Sequence, residues 1–169
     1  MPTLLYFCLA ALLVAADQLI KWWARSVLAS AGSMVVIEGV LRLTYVENRG
    51  AAFGIFQGQR WPLIVVTGLV LSGAAWLLTS GRLRCMAERL CVTFILSGGT
   101  GNFIDRLARG FVVDYIDIND LFSYPMFNLA DCCVVVGALL MLVWTVWSES
   151  KRSSGRPKEA PDGAHSDDS

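Results

Sequence analysis

Four apolar stretches, each near the length that crosses a bilayer as a helix, dominate this chain. Crossing hydrocarbon takes roughly 20 mostly apolar residues in helical form. Runs of this kind fall at about residues 4–23, 62–79, 90–107 and 129–147. Of the 169 residues, 55% are hydrophobic and 17% are charged, too little charge to cover the surface of a soluble domain of this size. The first run ends near Ala15-Ala16, but Met1-Pro2-Thr3 before it carries no basic side chain, and Trp22-Trp23 suits an interfacial belt. It therefore reads as a retained helix. The expected fold is all-α and integral to the membrane, with four transmembrane helices in one embedded domain over residues 1–150. The polar Gly-, Pro- and Ser-containing segment 151–169 is expected to be a disordered tail.

The segments between the apolar runs differ in character. Met34–Ile37 and Leu41–Val46 are rich in β-branched residues, and Glu38-Gly39 between them suits a turn. A small extracytoplasmic sheet on the membrane surface, forming a cradle, follows from this pattern. Residues 108–127 read as a second irregular stretch. Arg82, Arg84 and Arg89 lie on one side of the membrane with Lys151, Arg152, Arg156 and Lys158, whereas the other basic residues are spread over longer segments. The Lys/Arg bias then puts both termini in the cytoplasm and both long loops outside.

The 14 basic and 14 acidic side chains balance, which argues against nucleic acid as a partner. Five cysteines occur without a CxxC spacing, and the single histidine, His165, lies in the polar tail; no metal or cofactor is implied. The cysteines in apolar runs read as small hydrophobes. There is no GxSxG and no HExxH, and Ser97 has no histidine to activate it. Gly98, Gly99 and Gly101 lack the lysine of a phosphate loop and instead permit close helix packing.

Carboxylates remain. Asp131 opens the fourth apolar run, and Asp114 lies in FVVDYID just beyond the third. If the two converge in a low-dielectric site they share a proton, the state that an acid–base pair for peptide hydrolysis needs. Alternatively, Asp131 is an anion favoured at a helix start, and Asp114 is an ordinary loop carboxylate. Asp17 and Lys21, four apart on one helix face, form either a structural ion pair or a substrate contact. Asp105 and Arg106 are expected to pair and brace the backbone near them. A proton-coupled transporter or channel component, and a non-enzymatic scaffold, are the competing classes.

Four motifs in series carry a family resemblance: ADQLIKWW at 16–23, ENRGAAFG at 47–54, GGTGNFIDRLARGFVVDYID at 98–117 and FNLAD at 127–131. Together they resemble the bacterial lipoprotein signal peptidases (signal peptidase II). The resemblance implies an intramembrane aspartic endopeptidase with Asp114 and Asp131 as catalytic residues. It implies supporting roles for Asp17, Lys21, Asn48, Gly54, Asn102, Arg106 and Asn128. The implied substrates are diacylglyceryl-modified prolipoproteins, cut before the lipid-bearing cysteine. A monomer in contact with membrane lipid, in the bacterial inner membrane with its site at the outer leaflet boundary, completes the expectation. Tyr115, Ile118 and Tyr124 depart from common family choices and leave this mechanism intact.

Overall fold

A computed structural model describes residues 2–50 and 56–154; Gly54 and the tail beyond residue 154 lie outside the described residues. Along the chain come α1 (Thr3–Ala31), β1 (Ser33–Ile37), β2 (Leu41–Asn48), α2 (Arg60–Thr79), α3 (Met86–Arg109), β3 (Val112–Asp117) and α4 (Leu129–Ser154). The other three helices all pack against α3.

Among the described residues, α1, α2 and α4 are long and apolar enough to cross a membrane, with mean hydropathies of 1.9, 1.9 and 2.3 over their most apolar stretches. Most of those side chains face outward rather than into the protein, as in Leu12, Leu69 and Val143. An apolar exterior of this kind suits a hydrocarbon solvent. The helix α3 is as long, but it does not reach the same apolarity. Its inner face carries Thr93, Ser97, Asn102 and Asp105, all buried.

Small residues set how closely the helices approach. A Cβ on Gly98 of α3 would overlap the carbonyl oxygen of Ala130 on α4, and one on Gly137 of α4 would stand 2.7 Å from the Cys91 carbonyl oxygen. The glycines thus allow the two backbones to meet, as their sequence context suggested. Tyr6, Ala10, Ala74, Leu78, Val92 and Leu96 fill the space at one end of the helices. At the other end, Ala24, Leu28, Val113 and Tyr115 form a second core between α1 and the sheet.

Three boundaries differ from the sequence reading. The helix α1 runs to Ala31 rather than ending at Trp23, because Ala24 and Leu28 continue its buried stripe beneath the sheet. The stretch 108–127 is not wholly irregular: β3 lies inside it and completes an antiparallel sheet of order β1-β2-β3. And α4 carries on through residues 151–154, four residues expected to belong to the tail. The β1–β2 turn at Glu38-Gly39 is as expected, with Gly39 at φ 71° and Val40 N–H donating to the Ile37 carbonyl at 3.1 Å.

The sheet register positions the chemistry. Gly110, at φ 83°, ends α3 in the left-handed conformation and lets the chain turn straight into β3. Val46 then pairs with Asp114 and Asn48 with Val112, so Asn48 and Asp114 are diagonal neighbours on one face. After the loop beyond β3, Phe127 pairs back with Ile116, exchanging backbone hydrogen bonds of 2.8 and 3.1 Å. That pairing delivers Asn128 beside Asp114, where α4 begins.

Candidate active site

Asp114 is buried and held from two sides. Asn48 Nδ2 donates to its Oδ2 at 2.9 Å, and Asn128 Nδ2 donates to its Oδ1 at 2.7 Å. Burial, and then the neighbouring Asp131 carboxylate, push its pKa up from 3.8 to about 6, against the opposing pull of the two asparagine donors. A carboxyl in this position keeps its proton to a higher pH than an exposed one does.

Asn128 precedes the first residue of α4 and caps it. Its Oδ1 accepts from Asp131 N–H at 3.0 Å, while Asp131 Oδ2 accepts from Asn128 N–H at 3.2 Å. This is a reciprocal capping box with an aspartate at its third position. With its oxygen committed to the helix, Asn128 must turn its amide N–H₂ toward Asp114. The other Asp131 oxygen, Oδ1, accepts from Asn102 Nδ2 at 2.7 Å. Tyr115 completes the helix start by accepting from Leu129 N–H at 3.2 Å.

Behind this pair sits a buried ion cluster. Lys21 Nζ lies 2.9 Å from Asp17 Oδ2, 3.0 Å from Asp105 Oδ2 and 2.8 Å from Asn102 Oδ1. Asp17 Oδ1 accepts from Ala130 N–H at 3.0 Å, tying α1 to the first turn of α4. Asp105 Oδ2 accepts from Val113 N–H at 3.2 Å, tying α3 to β3. The Asp17–Lys21 pair is therefore present as a structural pair, enlarged by Asp105. The expected Asp105–Arg106 pair does not form. Side chains at adjacent helix positions point apart, and Asp105 instead pairs with Arg109 one turn on. Arg106 faces the other way, donating to the Gly50 carbonyl at 3.0 Å and lying 3.5 Å from the Asn102 carbonyl. Gln18 also joins the cluster, donating to Asp105 Oδ1 at 3.2 Å and to the Gly101 carbonyl at 3.1 Å. Its one signal in the sequence was an amide beside Asp17 in an apolar run.

Asp114 and Asp131 line the same cleft, of about 1030 Å³, with Asn48, Asn102 and Arg106. Its other wall is apolar: Val66 and Val70 of α2, Ile95 and Gly99 of α3, and Val134 and Val135 of α4. The cleft thus joins a polar end holding two carboxylates to a trough between membrane-type helices. Of the residues singled out from sequence, Asn48, Asn102, Arg106, Asp114 and Asp131 border this cleft. Asn128 bridges the carboxylates from behind, and Asp17 and Lys21 lie one layer deeper.

Residues 9–147 match the model of the family described as Signal peptidase (SPase) II. A lipoprotein signal peptidase of Clostridioides difficile (strain 630) is 40% identical over 148 residues, covering 88% of this chain and 99% of the relative. One from Streptococcus pyogenes serotype M1 is 41% identical over 138 residues, covering 82% and 90%. A bacterial membrane enzyme solved by the in meso method at 2.3 Å superposes with a TM-score of 0.78 at 28% identity, over 92% of this chain and 93% of that one. A second, solved at 1.9 Å, gives 0.75 at 28% identity, over 83% and 91%.

Proposed function

This chain belongs to the signal peptidase II family, and from that premise we propose that it is an aspartic endopeptidase that removes signal peptides from prolipoproteins, with Asp114 and Asp131 as the catalytic pair. The observation that carries the reading is the cleft itself: two carboxylates bridged by Asn128 at the head of an apolar trough. A signal peptide is a membrane helix with its scissile bond at one end. The trough accepts the apolar part, and the aspartates meet the bond.

In the reaction, Asp131 is ionised and Asp114 carries the proton. Asp131 stands at a helix start, where the macrodipole and the Asn102 donor favour an anion, whereas burial favours the neutral form of Asp114. Asp131 takes a proton from water as the oxygen attacks the scissile carbonyl carbon, and Asp114 gives its proton to the carbonyl oxygen. When the tetrahedral intermediate collapses, the carbonyl proton returns to Asp114. The proton on Asp131 passes to the leaving amine.

The helix α3 is the fourth crossing, shielded from lipid by the three helices packed on it, so its polar inner face needs no contact with hydrocarbon. Four crossings return both termini to one side, and the Lys/Arg bias makes that side the cytoplasm. In a bacterial inner membrane the sheet and the aspartates then meet the outer leaflet boundary. The proposed working form is a monomer with lipid around its exposed apolar faces.

The test is cleavage of a lipidated prolipoprotein by purified protein in detergent. Asp114→Asn and Asp131→Asn should each lower turnover by about 10³-fold or more while unfolding at the wild-type temperature. Cleavage surviving either substitution would remove that residue from the catalytic pair.

A further inference from the structure

Among the described residues, a cluster of fully buried charge lies one layer behind the cleft. Lys21 is fully buried, and its three ammonium protons meet three acceptors: Asp17, Asp105 and Asn102. Charge balance accounts for the two carboxylates. It does not account for the amide. Asn102 accepts from Lys21 on its oxygen, which turns its N–H₂ toward Asp131 Oδ1 at 2.7 Å. The opposite orientation fits the same space, but it would set an N–H₂ against an ammonium and a carbonyl oxygen against a carboxylate. Lys21 is the charged partner in that choice, and Asn128 Nδ2, 3.2 Å from the same Asn102 oxygen, favours the same orientation.

We infer that Lys21 is a positioning residue for proteolysis: by fixing the orientation of the Asn102 amide, it gives Asp131 a hydrogen bond and so decides which aspartate is the base. This rests on the assignment of Asp114 and Asp131 as the catalytic pair. Lys21 borders neither the cleft nor either of those carboxylates, so substrate contact is not its role. A mere strut between α1 and α3 would leave the proton distribution alone, and that difference separates the two roles by experiment. The groups facing the pair are Asp17 and Lys21 from α1, Glu47 and Arg49 from β2, Asp105 and Arg106 from α3, Tyr115 from β3, Tyr124 from the loop before α4 and Cys132 from α4. The lining residues of α2 are Val66, Thr67, Val70 and Leu71, none of which titrates. Of all these, Lys21 is the cation that reaches Asp131 through a single amide.

The experiment measures kcat, KM and their pH profiles in detergent on a fluorogenic lipidated peptide. The variants are Lys21→Met, the charge-balanced Lys21→Met/Asp17→Asn, Asn102→Leu and Lys21→Met/Asn102→Leu. A lost charge-assisted hydrogen bond should lower kcat about 10- to 100-fold with KM within about twofold. The acidic limb of the kcat profile should move about one pH unit upward, because the anionic base has lost a donor. Adding Asn102→Leu to Lys21→Met should cost little more, since both act through one bond. Wild-type kcat and profile per folded molecule in Lys21→Met or its charge-balanced partner would overturn the inference. So would failure of both to fold, which would make the lysine a strut. Asp114→Asn and Asp131→Asn run alongside: if they still cleave, the catalytic pair itself is wrong; if they are dead while the Lys21 variants match wild type, only this inference falls.

Discussion

Substituting Gly98 by alanine tests whether the spacing of α3 and α4 sets the catalytic geometry. An added Cβ would sit inside the Ala130 carbonyl oxygen and within 2.8 Å of Val134 Cγ2 and 3.0 Å of Val134 N. The nearest obstacle is backbone, so no side-chain rotation relieves it. Ala130 is also held by its N–H bond to Asp17 Oδ1, which resists a retreat of α4. Restoring ordinary van der Waals contact then needs a relative shift on the order of 1 Å. Asn102 lies one turn along α3 and Asp131 one residue after Ala130, so the shift falls on their 2.7 Å hydrogen bond. Overpacking of this kind costs about 1–3 kcal/mol in stability, and a 1 Å misplacement near reacting groups costs on the order of 10²-fold in rate. Thermal unfolding in detergent and turnover of a lipidated substrate read the two effects. Gly73→Ala on α2, where a Cβ meets nothing within 4 Å, is the control and should match or exceed wild-type stability by up to about 1 kcal/mol. Gly98→Ala with wild-type melting temperature and turnover would refute the reasoning.

Asn128→Ala should lose both activity and about 2–4 kcal/mol of stability, because it removes the cap and leaves buried partners unsatisfied. Asn128→Asp keeps a capping oxygen and should recover much of that stability, yet remain inactive, because it sets a second carboxylate where Asp114 needs a donor; an active Asn128→Asp would contradict this. For pH, the folded-state pKa of Asp114 is raised from 3.8 to about 6, so its contribution to stability is fully present below pH 3.8 and is lost as pH rises through about 6. The span corresponds to on the order of 3 kcal/mol at most. The melting temperature of wild type relative to Asp114→Asn should therefore be higher at pH 5 than at pH 7.5, and parallel curves for the two proteins would sink the idea.

The apolar runs made the helices legible, because hydrocarbon imposes a length that composition alone reveals. Their ends were less so. The helix α1 continues past Trp23 because Ala24 and Leu28 find a core under the sheet, and no local pattern announces a partner that lies 90 residues away at Val113 and Tyr115. The strand β3 was hidden for the same reason: VVDYID is buried at its start on both faces, so the alternation that marks a half-exposed strand is missing. At the site, the residue types pointed to two carboxylates that line one cleft, but their convergence depends on the β2–β3 register and on the Phe127–Ile116 pairing, both long-range. The partner of Asp105 was misjudged because sequence adjacency to Arg106 suggested a pair that helix geometry forbids.

The two readings of Asp131, as helix-start anion and as catalytic base, make compatible demands on its carboxylate. They use different oxygens. Oδ2 closes the capping box with Asn128, and Oδ1 receives Asn102. Because a cap and a helix N-terminus both favour the charged carboxylate, the interaction that starts α4 also suits the proposed role of Asp131 as base. Asn128 serves Asp114 in turn: its oxygen is committed to the α4 backbone, so its amide nitrogen faces that carboxyl, its shortest acceptor at 2.7 Å, with Asn102 Oδ1 and the Val113 carbonyl farther off. One helix start thus treats two neighbouring aspartates differently. Both Asp114 oxygens accept amide protons, and burial still lifts its pKa to about 6, which supports its proposed role as the proton-bearing partner. On the proposed mechanism, this difference in surroundings precedes the entry of any substrate into the cleft.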